Sequence, residues 1–426
     1  MRSGVAGGWQ RTTHPEAQWF PAAGAGLFIH WGISSVLGKC DLSWGMVANT
    51  PWDAAAGGAN KLTPNQYYAL AECFQPDSYN PDEWMRLARD AGFQYAVLTT
   101  KHHDGYTLWP SKFGRLGTHT HMGGRDLVGP FVEACRGAGL KVGLYYSPPD
   151  WYFDRHYRSW GYAPSRPSQA TQTLLDMDHH PVGALPPRPP GHDAARAELV
   201  RGQVRELLTR WGRIDLFWFD GGNGEMDPAE VRAMQPHIVI NNRNGGVGDY
   251  DHSECRLPAH RPTGWFETCY VCWGHGGWGY IAGASGDTAA QYLDKLVRIR
   301  TWGGNLLANI GPDGHGRFPS EYMTAWRQIG QWMSHSGQSI VGAQEGPYPE
   351  HCSVPVTRKG QSFYLLPPSD HSGPLRLMGL GAPPAHVRLL RTGHEAAWRF
   401  AQGELSVELR PQDRSGLVDA VAVEFG

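Results

Sequence analysis

Gln94-Tyr-Ala-Val-Leu-Thr-Thr-Lys-His-His-Asp-Gly105 is a short apolar run that ends in four consecutive side chains able to carry charge. A buried strand that delivers such a cluster at its C-terminal end is how open α/β sheets and α/β barrels build active sites. The pattern recurs at Ile214-Asp-Leu-Phe-Trp-Phe-Asp-Gly-Gly222, where bulky apolar residues run up to Asp220 and two glycines let the backbone turn away. Further apolar runs at 26–30, 142–147, 238–241 and 305–310 are separated by helical patterns. That alternation implies parallel strands joined by crossover helices.

The clearest helix starts at Asn80, an N-cap followed by Pro81 in the first turn and Glu83 three residues on. Its apolar stripe is Trp84, Leu87, Ala88 and Ala91, and Gly92 supplies the stop. Similar patterns predict helices over 127–138, 194–211, 288–301 and 321–335. Residues 163–193 contain Pro186-Pro-Arg-Pro-Pro190 and little periodicity, so they read as a long loop over the barrel. After about residue 340 the period shortens to alternating segments such as Leu405-Ser-Val-Glu-Leu409 and Ala420-Val-Ala-Val-Glu-Phe425. The expected fold is α/β, an irregular (β/α)8-like, TIM-type barrel over 1–340 with a C-terminal antiparallel β-sandwich over 341–426.

Composition narrows the function. A chain of 426 residues with 41% hydrophobic and 18% charged residues has the make-up of a soluble globular protein, and no apolar run reaches membrane-spanning length. A formal charge of −2 gives no broad attraction for nucleic acid or anionic lipid, so a neutral small molecule or glycan fits better as substrate. Eighteen tryptophans supply flat apolar faces of the kind that lie against a sugar ring, although most are expected in the core. Seven cysteines show no dense framework and suit free thiols in a reducing compartment. Cys269-Tyr-Val-Cys272 has the spacing of half a zinc site but no second pair, and is read as structural. The first residues lack the apolar core of a secretory signal, which implies a cytoplasmic protein, or a secreted or periplasmic one if a leader has been removed. Assembly into a homo-oligomer is left open.

In a barrel, His30, His102, His103, Tyr145 and Asp220 all fall at strand ends on one rim. Taken singly, each has a structural alternative: a satisfied core histidine, or a carboxylate that caps a helix. Together they suit three chemistries. A metal hydrolase would use the histidines and Asp220 as ligands, but the first strand offers only His30-Trp31 where a His-x-His pair is usual. A sugar-binding protein without catalysis would use the same groups as hydroxyl partners. Glycoside hydrolysis needs one carboxylate as nucleophile and a second carboxyl as general acid.

Phe28-Ile-His-Trp-Gly32, Thr99-Thr-Lys-His-His-Asp-Gly105, Gly143-Leu-Tyr-Tyr-Ser147, Leu216-Phe-Trp-Phe-Asp-Gly221, Asn242-Arg243, Trp278-Gly-Tyr280 and Gly303-Gly-Asn-Leu-Leu307 through Asn309-Ile-Gly-Pro312 occur in one order. This series, over about residues 19–340, closely resembles the α-L-fucosidases of glycoside hydrolase family 29. The resemblance implies an exo-acting barrel enzyme that releases α-L-fucose with retention, using no metal and no cofactor. It makes Asp220 the nucleophile, places His30, His102 and His103 on sugar hydroxyls, and sets Tyr145, Trp218 and Arg243 in the sugar pocket. The general acid/base is expected at Glu267, in Trp265-Phe-Glu-Thr-Cys269, where flanking aromatics would raise its pKa; Glu254 is the alternative. Asp104 fits a group that orients a histidine. Many relatives carry a Glu-Trp-Tyr-like segment after the first strand, whereas this chain reads Asp41-Leu-Ser-Trp-Gly-Met46, with Ser43 in the place of the Glu. Asp41 and Asp53 are the acids placed to substitute for it, and Trp44 retains an indole to stack on the ring.

Overall fold

The computed structural model describes residues 9–50, 62–162, 173–222 and 224–426. Asp53 and residues 163–172, the first part of the expected long loop, therefore lie outside the described residues. Eight parallel strands form the core: β1 Ala25–Ile29, β2 Tyr95–Lys101, β3 Lys141–Tyr146, β4 Leu216–Phe219, β5 Val239–Ile240, β6 Asp251–Glu254, β7 Phe266–Trp273 and β8 Asn305–Ile310. They are ordered β5-β4-β3-β2-β1-β8-β7-β6, and a single parallel bridge between Asn241 and Tyr250 joins the two edges. The curled sheet thus closes into a barrel with the strands in sequence order around it.

Helices α1 Pro81–Asp90, α2 Val128–Gly137, α3 His192–Thr209, α4 Pro228–Met234, α5 Ala289–Arg300 and α6 Met323–Ser336 cover the outside. The Asn80 side chain accepts from the Glu83 amide at 3.2 Å, the cap expected from the sequence, which contributes about 1 kcal/mol. No helix links β5 to β6 or β6 to β7, and this is what makes the barrel irregular. Among the described residues, no helix is long and apolar enough to cross a membrane.

Strand alternation sends every second residue inward. Phe28, Val97, Tyr145, Trp218, Cys269 and Leu307 meet inside the barrel, while Leu27, Ile29, Leu98 and Leu144 pack outward under the helices. The N-terminal end is plugged by Phe20, whose ring centroid lies 4.4 Å from that of Tyr250. Gly26 is required on β1 because a Cβ there would sit 2.2 Å from the Tyr95 ring, which crosses the barrel at this level.

Beyond the barrel, strands β9 Gln344–Glu345, β10 Val356–Lys359, β11 Ser362–Leu365, β12 Leu375–Leu377, β13 His386–Leu389, β14 Ala397–Ala401, β15 Glu404–Glu408 and β16 Val421–Glu424 form two antiparallel sheets. Their facing sides share a core that includes Val356, Leu365, Leu377, Leu405 and Val423. The five-stranded sheet turns Tyr364 and Ala422 toward the barrel core, and Trp332 on α6 donates to the Val418 carbonyl at 2.6 Å. This interface also holds the fully buried Arg300, whose guanidinium is satisfied by the carbonyls of Ile340, Ala343, Gly303 and Gly304.

Candidate active site

The C-terminal ends of the strands surround a cavity of about 310 Å³ lined by Phe28, His30, Asp41, Trp44, His102, His103, Tyr145, Trp218, Asp220, Arg243, Glu254, Cys269 and Trp278. The groups come from seven strand ends and from the loop after β1, which is how a barrel gathers residues far apart in the chain. At the tip of β4, Gly221 and Gly222 take φ of 75° and 108°, so the backbone bends away and leaves Asp220 at the cavity edge.

Asp220 is held by specific partners. Tyr145 donates to its Oδ2 at 2.5 Å, Arg243 Nη2 lies 2.7 Å from Oδ1, and His103 Nε2 is 3.5 Å from Oδ2. Burial pushes its carboxyl pKa up, but the Arg243 guanidinium and the Tyr145 hydrogen bond outweigh this and hold it well below the usual carboxylate range. It is an ionised, directed carboxylate at neutral pH. Arg243 also binds Glu254, Nη1 to Oε2 at 2.9 Å, so one guanidinium clamps two carboxylates on the same cavity.

The three imidazoles are buried and neutral. Desolvation lowers His30 and His103 to about 4 and takes His102 well below its ordinary value. Their polarity is set from behind. Asn309 donates to the Trp278 carbonyl at 2.7 Å, which turns its Oδ1 to His30 Nδ1 at 2.6 Å; that nitrogen carries the hydrogen and Nε2 is left an acceptor. Ser43 accepts from the Asp104 amide at 3.0 Å and hydrogen-bonds His102 Nδ1 through its hydroxyl, which leaves the hydrogen of His102 on Nε2. His30 and His102 therefore complement each other, one an acceptor and the other a donor. His103 Nδ1 is bound by Ser147 at 2.5 Å.

Of the residues selected from sequence, Asp220, His30, His102, His103, Tyr145, Trp218, Arg243 and Trp44 come together on this cavity. Glu267 does not. It is fully buried near the start of β7, opposite Asn305 of β8, and its carboxylate is enclosed by Tyr95, Trp218 and Tyr250 beneath the cavity. Burial does raise its pKa, to about 7, against the pull of those hydrogen bonds, but a group without access to the cavity cannot exchange a proton with a leaving group there. Glu254, at the C-terminal end of β6 and on the cavity, is the carboxylate that the shared Arg243 guanidinium pairs with Asp220. Asp104 does not orient a histidine through its carboxylate, which instead accepts from the Tyr67 hydroxyl at 2.7 Å and the Tyr106 amide at 2.9 Å. Ser43 is fully buried behind His102 rather than facing a sugar, whereas Asp41 lines the cavity, its Oδ1 accepting from the Trp278 amide at 2.7 Å. Cys269 also lines the cavity, 3.1 Å from His252 Nε2, so the Cys-x-x-Cys spacing reflects one pocket residue and one core residue.

Among the described residues, His102, His103 and Asp220 offer donor atoms within 4.8 Å of one another, a set that could hold a metal ion. Both Asp220 oxygens are already engaged by Tyr145 and Arg243, and Arg243 places a positive charge where an ion would neutralise the carboxylate. The donor set is that of a site satisfied by its own cation.

A closed barrel with neutral hydrogen-bonding imidazoles, aromatic walls and two clamped carboxylates defines a barrel protein of the glycoside hydrolase class. Within that class, the chain belongs to the alpha-L-fucosidase family: the sequence profile described as Alpha-L-fucosidase matches residues 8–338. The tissue alpha-L-fucosidase of Homo sapiens is 27% identical over 83% of this chain and 76% of its own length. The alpha-L-fucosidase of Branchiostoma floridae is 28% identical over 78% of this chain and 73% of its own. Among solved structures, alpha-L-fucosidase isoenzyme 1 from Paenibacillus thiaminolyticus superposes with a TM-score of 0.79 at 27% identity, covering 97% of this chain and 99% of that one.

Proposed function

We propose that the protein is an exo-acting, retaining α-L-fucosidase in which Asp220 is the nucleophile and Glu254 the general acid/base, acting on terminal fucose of glycans or glycoconjugates. The observation that carries this reading is the pairing of Asp220 and Glu254 on one cavity through Arg243. A volume of about 310 Å³ is at the small end for a ligand site and suits a single terminal sugar ring.

In the first step Asp220 attacks the anomeric carbon while Glu254 gives its proton to the departing glycosidic oxygen, so the C–O bond breaks as the glycosyl ester forms. In the second, Glu254 takes a proton from water, the water oxygen bonds to the anomeric carbon and Asp220 leaves as carboxylate. His30 and His102 fix the sugar hydroxyls by accepting and donating respectively, and Phe28, Trp44 and Trp278 supply apolar faces.

A panel of nitrophenyl glycosides, including fucose and galactose in both anomers, tests the proposal. The expected result is turnover of the α-L-fucoside that is abolished in Asp220→Gly, with Glu254→Gln most harmful on substrates with poor leaving groups. Binding of fucose without turnover of any glycoside would overturn it in favour of a silent carbohydrate-binding protein.

A further inference from the structure

Glu267 is a carboxylate with no place in the reaction just described, yet it lies where an apolar residue would pack the barrel at lower cost. It is fully buried, and among the described residues its partners are three neutral donors: Tyr95 at 2.5 Å, the Trp218 indole at 2.9 Å and Tyr250 at 3.2 Å. The site is built for it. Gly26 gives up a side chain so that Tyr95 can cross the barrel, and Phe20 closes the floor below.

The Trp218 indole it holds is the support for both groups that bind Asp220. The ring of Tyr145 stacks on it at 5.4 Å with planes 16° apart, and the Arg243 guanidinium carbon lies 5.1 Å from its centroid. Tyr145 and Arg243 then donate to the two oxygens of Asp220. A rotation of the indole about its own axis would therefore shift both donors together.

We propose that Glu267 is a positioning residue, which acts through Trp218 to fix Tyr145 and Arg243 against the nucleophile. The inference rests on the reading of Asp220 as nucleophile. It differs from a general acid role because no proton of the substrate reaches Glu267, and from simple packing because the indole N–H is the point of transmission.

The experiment measures kcat and KM of full-length Glu267→Gln, Trp218→Phe and the double variant on aryl α-L-fucosides with good and poor leaving groups, with folded protein verified by thermal melting. Glu267→Gln is expected to lower kcat by about 10- to 100-fold with KM within about threefold, since a small misplacement of reacting groups has effects of that size. The loss is expected to be equal for both leaving groups, and the double variant to be no worse than Trp218→Phe alone. A kcat within twofold of wild type in folded Glu267→Gln overturns the proposal, as does a loss that grows for the poor leaving group, or losses that multiply in the double variant. Should Glu267→Gln fail to fold, Trp218→Phe decides: it removes only the indole N–H and part of the ring, and an unchanged kcat overturns the proposal. A wild-type protein that turns over no fucoside sinks the underlying reading and the inference with it, whereas active wild type with unaffected variants sinks the inference alone.

Discussion

Arg243 Nη2 lies 2.7 Å from Asp220 Oδ1, in a cavity where burial alone would favour the neutral acid. The ionised nucleophile is thus a consequence of its neighbour. In Arg243→Gln the burial remains and the cation is gone, so the Asp220 pKa rises into the measurable range. We expect kcat/KM to fall by about 100-fold, about 2.7 kcal/mol of transition-state stabilisation, and its acid limb to move to higher pH. A pH profile of kcat/KM checks this; an acid limb that stays in place would show that Asp220 is kept ionised by something else.

Asn309 determines which nitrogen of His30 faces the sugar. In Asn309→Leu the Nδ1 hydrogen of His30 loses its acceptor and the ring is free to exchange tautomers. The expected loss is about 3- to 10-fold in kcat/KM, the equivalent of one hydrogen bond of about 0.5–1.5 kcal/mol. Asn309→Asp retains an acceptor and adds a charge, which should raise the pKa of His30 from about 4. NMR titration of the His30 ring distinguishes the two variants, and identical titrations would contradict the assigned tautomer.

Ser43 is predicted to act on His102 and not on the sugar. Ser43→Ala leaves the Asp104 amide and His102 Nδ1 without their shared partner, at a cost of about 1–3 kcal/mol in stability. The consequence for catalysis should appear as weaker discrimination between sugars that differ at the hydroxyl bound by His102. Ser43→Glu is expected to destabilise the fold rather than to improve fucose binding, because the position has no exposed surface. Hydrolysis rates on the fucoside and galactoside pair, set against melting temperature, test both statements. A Ser43→Glu protein that folds normally and binds fucose more tightly would return this side chain to the sugar pocket.

The barrel was legible because its strands on one side are continuous apolar runs, and β1, β2, β3 and β8 fall within two residues of where those runs place them. β6 was not, because Asp251-His-Ser-Glu254 is short and polar, and Glu254 at its end lines the cavity rather than a core. The same polarity left Glu254 only the alternative acid/base, while Glu267 beside two aromatics had the look of a desolvated acid and was preferred. Its pKa is indeed raised, but strand position decides access, and Glu267 stands near the wrong end of β7. The residues that orient the histidines, Ser43, Ser147 and Asn309, carry no local signal, since their role depends on contacts across 59, 44 and 279 positions of chain.

Glu267 also predicts how stability depends on pH. Its folded pKa of about 7 exceeds an unfolded value near 4.3, so folding favours the protonated form. The contribution is fully present below about pH 4 and is lost as pH rises to 7, a difference on the order of 3 kcal/mol. Asp104, raised by burial to about 6, has the same sign, whereas His30 and His103, lowered to about 4, act in the opposite sense by favouring folding as pH rises. The raw stability curve therefore mixes terms that cancel in part. Denaturant unfolding of wild type and Glu267→Gln at pH 5 and pH 8 isolates one of them, because the amide does not titrate. The variant should lose more stability relative to wild type at pH 5 than at pH 8, or gain at pH 8, and Tyr95, Trp218 and Tyr250 should keep their burial in both proteins. A stability difference between the two proteins that is the same at both pH values would mean that Glu267 has the same protonation preference folded and unfolded, and that its enclosure in the barrel is compensated by groups other than these three donors.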